Sequence, residues 1–336
     1  MDEMRKIKIV TAALLFVLLI GFEVKAETWH LDNTQQLQAV GSDEQSRYVL
    51  AVSELKQLAG SGKSKELIAK IKEFKKQFPG SVSEELDAFF AADIEYSKGH
   101  YTKAIRKYDA FLAKYPESQL REAVLEREFA IATAFLGGKK KPVLKIIWLK
   151  GYAEGEKIMD RISDRAGDSP IGIEAQLSVA DSLEKRGKFM DAAEKWSEIS
   201  LAWPMGKVGQ ESLLAMGRCN HASYRGPAYD GLSLISAKTY YENYSMRYTE
   251  RAEHYQLSRR IAQIDEQMAY KQFQIAEYYK SSGYNQAANF YYQMVIDKWP
   301  QSTGGQMATT AIKEKNVAEE KTWKKQAVTK LKKLLL

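Results

Sequence analysis

The chain has 336 residues, 45% hydrophobic and 11% aromatic, with only 28 glycines and prolines, so it is neither collagen-like nor low-complexity and carries enough apolar side chains for a large core. Its net charge of +7 is concentrated at one end, where residues 313 to 336 hold eight lysines against three glutamates, and the near-neutral remainder argues against a broad nucleic-acid footprint. Cys219 is the one thiol, which excludes an internal disulfide and leaves packing to stabilise the fold.

Residues 1–26 have the order of a secretory signal. Arg5, Lys6 and Lys8 precede an apolar run from Ile9 to Phe22, and Val24, Lys25 and Ala26 lead into a polar stretch at Glu27. The run is 14 residues, shorter than the roughly 20 needed to span a bilayer as a helix. Cleavage before Glu27 and export are expected, with an uncleaved anchor as the alternative. Cleavage leaves 46 Lys plus Arg against 40 Asp plus Glu, a net charge of +6. Leu19, Ile20 and Gly21 resemble a bacterial lipoprotein processing box, but Phe22 stands where that box needs a cysteine, so no lipid can be attached there. Residues 27–47 read as a polar linker.

From residue 48 to 312 the chain repeats. Gly62 and Pro79, Gly99 and Pro116, Gly187 and Pro204, and Gly283 and Pro300 are four pairs, each 17 residues apart. An aromatic precedes each proline: Phe78, Tyr115, Trp203 and Trp299. Twelve residues before the proline stand Leu67, Ala104, Ala192 and Ala288, and seven before the glycine stand Leu55, Ala92, Ala180 and Ala276. Apolar residues recur at helical spacing on both sides of each glycine. Each unit is therefore predicted to be a helical hairpin, turned at the glycine and stopped by the proline, with small residues letting its helices approach. Ser83 and Ser169 are expected N-caps, the latter followed by Pro170 at the first helical position.

Two units are looser. Residues 121–170 keep a first helix around Ala130 and a second around Met159 and Ile162, with an insertion from Gly137 to Gly151. Residues 208–249 lack the turn glycine and the closing proline, and a long helix from about Arg251 to Lys280 is predicted to follow. The whole is all-α.

These glycine, alanine, aromatic and proline positions resemble the tetratricopeptide repeat family, which implies a helical-hairpin solenoid of about five to six repeats. The layout behind a signal segment, with Tyr224-Arg225-Gly226-Pro227-Ala228-Tyr229-Asp230, a long helix, and Phe273-Gln274-Ile275-Ala276-Glu277-Tyr278-Tyr279 before Gly283-Tyr284, resembles the BamD family of outer-membrane β-barrel assembly lipoproteins. That resemblance covers residues 48–312. It implies a non-catalytic scaffold, exported to the periplasm and associated with the outer membrane without a lipid. Its partners would be unfolded outer-membrane protein segments and the barrel-assembly machinery. By analogy with the repeat family, Val52, Lys56, Phe89, Asp93, Tyr96 and Arg127 project into a peptide-binding groove. A coordinator resembling the Tol-Pal-associated repeat protein is the competing scaffold, although residues 27–47 are too short for its trimerising coiled coil. An envelope enzyme is the third reading.

Candidate chemistry is thin. Gly60-Ser61-Gly62-Lys63-Ser64 looks like the end of a phosphate-binding loop, but the first glycine of that loop would be residue 57, which is Gln57, and no strand precedes it. Cys219 and His221 lack further ligands at metal spacing, and a Ser, His and Asp grouping is recognised by geometry alone. No cofactor, metal or nucleic-acid partner is expected. The tyrosines at 240, 241, 244 and 248, and at 278, 279, 291 and 292, read as core or as a carbohydrate or peptide platform. The Lys139–Leu149 insertion is either a flap on the hairpins or a contact for membrane or partner. The 313–336 tail, with Val317, Val328, Leu331 and Leu335 near one helical face among lysines, suits an anionic membrane surface, an acidic partner or a plain cap.

Overall fold

The computed structural model describes residues Trp29–Leu31, Leu37–Ala39, 44–143 and 147–334; the expected signal segment lies outside them, as do Leu144 and Ile146 of the insertion and Leu335 of the tail. Two compact units divide the chain, Met1–Ser118 and Gln119–Leu336. No helix among the described residues is long and apolar enough to cross a membrane.

In the first unit, β1 (Trp29–Leu31) pairs antiparallel with β2 (Leu37–Ala39) inside the stretch read as linker. Four helices follow: α1 (Glu44–Gly60), α2 (Ser64–Gln77), α3 (Glu84–Ser97) and α4 (Tyr101–Lys114). Buried residues recur three or four apart on each, as Ala51, Leu55 and Ala59 on α1 and Leu67, Ile71 and Phe74 on α2, so each presents one apolar stripe to its neighbours. Aromatic rings continue that core from helix to helix. Tyr48 meets Phe74 at 5.5 Å, Phe74 meets Phe90 at 5.8 Å, and Phe89 meets Phe111 at 6.1 Å between centroids. Ser83 caps α3 as expected, accepting the Leu86 N–H at 3.1 Å.

The second unit begins with α5 (Arg121–Leu136), then β3 (Lys140–Val143) and β4 (Ile147–Lys150), an antiparallel pair, and α6 (Tyr152–Ala166). Next come α7 (Pro170–Lys185), α8 (Phe189–Ala202), α9 (Gly206–Ser223) and α10 (Leu232–Arg247). The short α11 (Thr249–His254), α12 (Leu257–Ser281), α13 (Asn285–Lys298) and α14 (Thr303–Leu334) complete it. Ser169 caps α7 with Pro170 in its first turn, as expected.

The four register glycines turn the chain in one way. Gly62, Gly99, Gly187 and Gly283 have φ of 74°, 72°, 72° and 81°, in the left-handed region that residues with a side chain rarely adopt. The residues after them, Lys63, His100, Lys188 and Tyr284, share φ near −80° to −85° and ψ between 55° and 64°. At the last three glycines two backbone bonds close the first helix; at Gly99 they run from the Gly99 N–H to Tyr96 O (2.9 Å) and from the His100 N–H to Glu95 O (3.0 Å). The aromatic residues before the prolines also share one conformation, Phe78, Tyr115, Trp203 and Trp299 having φ of −125° to −135° and ψ of 58° to 74°. Proline excludes helical geometry from the residue before it. The alanines at the register positions are buried between paired helices, Ala92, Ala104, Ala180, Ala192 and Ala276 completely.

The looser units keep part of this plan. Helix α5 ends at Gly138, φ 90°, with the Gly138 N–H on Phe135 O and the Lys139 N–H on Ala134 O, the same closing pair as at Gly99. The insertion is thus a strand pair placed between that cap and α6, and its Trp148 and Leu149 are exposed. Tyr248 adopts the aromatic closing conformation, φ −137° and ψ 59°, without a proline after it. The expected continuous helix from Arg251 is instead broken. Gln256 enters the left-handed region at φ 52°, between α11 and α12, which lets Tyr255 pack against Tyr244 at 6.1 Å and buries Leu257 completely.

Candidate functional site

The predicted groove residues separate into three environments. Val52 and Lys56, four residues apart on α1, lie on its exposed face, and Val49 extends that face by one turn. Phe89 and Asp93 are inside the α3–α4 hairpin. The Phe89 ring packs on Phe90, Tyr108 and Phe111, and Asp93 accepts the Tyr108 hydroxyl across the hairpin. Tyr96 is half-buried and stacks on Tyr101 at 5.8 Å with the ring planes 21° apart. Arg127 belongs to the second unit and is buried on α5. The exposed residues among the first unit's predicted positions are therefore Val52 and Lys56, with Tyr96 half-buried. Phe89 and Asp93 serve the hairpin, because the apolar stripe that faces α4 includes their positions.

The second unit carries two further features, of which the sequence reading named the second, at Tyr278, Tyr279 and Tyr291, as core or as a carbohydrate or peptide platform. The Gly-Pro-x-Tyr-Asp stretch between α9 and α10 forms a fixed loop. Arg225 lies over the Tyr229 ring at 4.3 Å, Asp230 Oδ1 accepts the Leu232 N–H at 2.7 Å, and Lys271 Nζ donates to Pro227 O at 3.0 Å. Between this loop and the Gly187 turn is an open cavity of about 760 Å³, bordered by Met190, Asp191, Arg225, Tyr229 and Leu232. Exposed Met190 and Leu232 are the apolar part of a rim that also carries Lys188, Asp191, Arg225 and Asp230. At the last hairpin Tyr278, Tyr284 and Phe290 are also exposed, around the Tyr279–Tyr291 pair stacked at 5.4 Å. Exposed large apolar residues beside a rigid turn were the available signal, but helical spacing alone does not separate them from core.

A carboxylate with three side-chain N–H donors lies inside the unit. Glu184 on α7 receives Arg218 Nε at 3.0 Å, Arg218 Nη2 at 2.7 Å and the Trp196 indole N–H at 2.7 Å. Burial alone would raise its pKa, but these donors, Arg218 foremost, outweigh it and hold the carboxyl below its ordinary value. Cys219 beside it is pushed far up by burial and by Glu184, so its thiol stays protonated. His221 is held down by burial while its Nε2 meets Gln267 Oε1 at 3.0 Å. A protonated thiol and a hydrogen-bonded imidazole make a joint between α7, α8, α9 and α12, not a nucleophile with its base.

Gly60–Ser64 is the turn of the first hairpin, joining α1 to α2, with the Ser61 N–H on Gln57 O at 2.9 Å and the Ser64 N–H on Gly62 O at 3.0 Å. Among the described residues no group of three or more His, Cys, Asp and Glu side chains is arranged to hold a metal ion. The chain matches no known family model and no curated protein.

Proposed function

We propose that this chain is an exported, non-catalytic scaffold of the tetratricopeptide type that holds other polypeptides, acting in outer-membrane β-barrel assembly in the manner of the BamD family it resembles. The observation that supports the reading is the fourfold recurrence of one hairpin: glycine turns within 9° of each other in φ, aromatic closing residues in one conformation, and buried apolar residues at matching positions, leucine in the first hairpin and alanine in the other three. Stacked hairpins leave one face of each first helix open, and such faces suit extended peptides. In the first unit the accessible predicted positions are Val52 and Lys56 on α1 and the half-buried Tyr96 on α3. A client with an aromatic residue and a terminal carboxylate has apolar contact at Val52 and Tyr96 and a cation at Lys56. The order of residues 1–26 supports export to the periplasm.

The test is photo-crosslinking in cells from a reactive residue placed at Val52, followed by identification of the captured chains. Barrel proteins and their assembly machinery are the expected products. Recovery of cell-wall synthesis proteins instead would favour a Tol-Pal-type coordinator. Capture of nothing from Val52, with efficient capture from Met190 at the loop-side cavity, would move the client site to the second unit.

A further inference from the structure

Helix α14 first closes the last hairpin and then runs on beside it. The Thr303 N–H donates to the Glu266 carboxylate at 3.0 Å, Ala308 is fully buried, and a Cβ on Gly304 would come within 2.8 Å of the Ala269 backbone. Between the later turns of α14 and helix α13 is an open cavity of about 580 Å³, within the roughly 300–1,000 Å³ of small-molecule sites. On α13 its wall is Asn285, Ala288, Asn289 and Tyr292, whose helical spacing puts them on one face. Opposite them α14 contributes Ala311 and Thr322, eleven residues or about three turns apart, with Gln326 one turn further on and Trp323 at the edge of that face.

The lining combines three kinds of group. Ala288 and Ala311 are small and leave room between the helices. Asn285, Asn289 and Gln326 bring primary amides, each of which both donates and accepts, and among the described residues none of these amides has a hydrogen-bond partner. Trp323, 68% exposed, brings an indole with most of its surface open. Lys280 and Glu314 add one charge of each sign, so the lining carries no net charge.

We infer that this cavity binds a neutral sugar, with the C–H face of a pyranose ring on the Trp323 indole and its hydroxyls on the amides of Asn285, Asn289 and Gln326. A hydroxyl donates once and accepts twice, and a primary amide answers both needs. A phosphate-bearing ligand needs an excess of cations, whereas Lys280 is offset by Glu314. A lipid chain needs dry walls, and burying unpaired amides against it is costly. The inference stands apart from the client-binding reading, since the cavity lies in the second unit and shares no residue with the face assigned in the first.

The full chain is titrated with cellotriose and with chitotriose, β-linked trimers that differ in an acetamido group, by calorimetry and by tryptophan emission. Saturable binding of at least one trimer is expected, with a Kd of about 1 mM or tighter. The preferred trimer tells whether the amides read a hydroxyl or an acetamido group. Trp323→Phe removes the change in emission, and Trp323→Ala or the pair Asn289→Ala, Gln326→Ala weakens binding at least about tenfold with an unchanged helical signal and melting curve. The inference is overturned by no binding of either trimer up to about 20 mM, or by affinity that neither variant alters. Trp323-dependent binding of a trialanine peptide by a chain that ignores both sugars overturns it as well.

Discussion

Tyr108 on α4 donates its hydroxyl to the buried carboxyl of Asp93 on α3, and Tyr292 on α13 donates to Glu277 on α12 in the same register, nine residues after and six before the turn glycine. Each bond ties the two helices of its hairpin together, at Asp93 where water is excluded and at Glu277 where it is not. Tyr108→Phe leaves the Asp93 carboxyl short of that donor at a site 3% exposed, and is expected to cost about 1–3 kcal/mol in denaturant unfolding. Tyr292→Phe should cost less, because the Glu277 side chain is 39% exposed and water replaces the lost donor. Equal costs would mean that burial of the carboxyl does not set the penalty.

The turn glycines give a second, purely backbone prediction. A Cβ at Gly187 meets nothing within 4 Å, so the cost of Gly187→Ala comes from its φ of 72° alone, about 1–2 kcal/mol. Gly60 also has open space around it but ends α1 without a positive φ, so Gly60→Ala is expected to be neutral or to stabilise by a few tenths to about 1 kcal/mol. Opposite signs in thermal unfolding support the shared turn. A harmless Gly187→Ala would contradict it.

Glu184 supplies a pH dependence. Its folded pKa is lowered, so its contribution is present in full above the unfolded value, about 4.3, and is lost as pH falls through the folded value. Glu184→Gln removes a charged acceptor from Arg218 and should cost about 1.5–3 kcal/mol at pH 7. The gap between wild type and variant should narrow below pH 4. A gap that stayed constant from pH 7 to roughly 3 would show that the carboxylate charge plays no part.

Cys219 should be chemically silent in the folded chain. It is 1% exposed and its thiol is held protonated by burial beside Glu184. A thiol reagent at neutral pH is expected to react only at the rate of unfolding. Rapid labelling of native protein would show that the α7–α9 joint opens locally.

The sequence reported the hairpins because glycine and proline each impose one backbone conformation, and the caps because Ser83 and Ser169 each satisfy an orphan N–H. It did not report the break at Gln256, since glutamine carries no turn signal and the Tyr255–Tyr244 contact beside it joins residues that local spacing does not link. The strand pair after Gly138 was hidden for a related reason: its apolar run has the composition of a flap, and only pairing of Lys140 with Lys150 makes it a hairpin. Of the candidate site, Val52 and Lys56 were named by analogy with the repeat family, and both are exposed on α1. Phe89 and Asp93 were not separable from them, because the same spacing describes a residue facing a groove and one facing the partner helix. Tyr108, fifteen residues on, decides between them.

The central claim, that the first unit's open face holds an extended client, is tested most directly by the affinity of the chain for a peptide with a C-terminal aromatic residue and a free carboxylate. Arg127 is buried, so inverting its charge would disturb the fold, and Lys56→Glu alone is the informative change. The expected result is folded variant protein with roughly tenfold weaker binding, about 1.4 kcal/mol, and no difference between the two proteins for the same peptide with an amidated end. Unchanged affinity of the folded variant for the free carboxylate, or wild-type protein that binds neither peptide, would contradict the account.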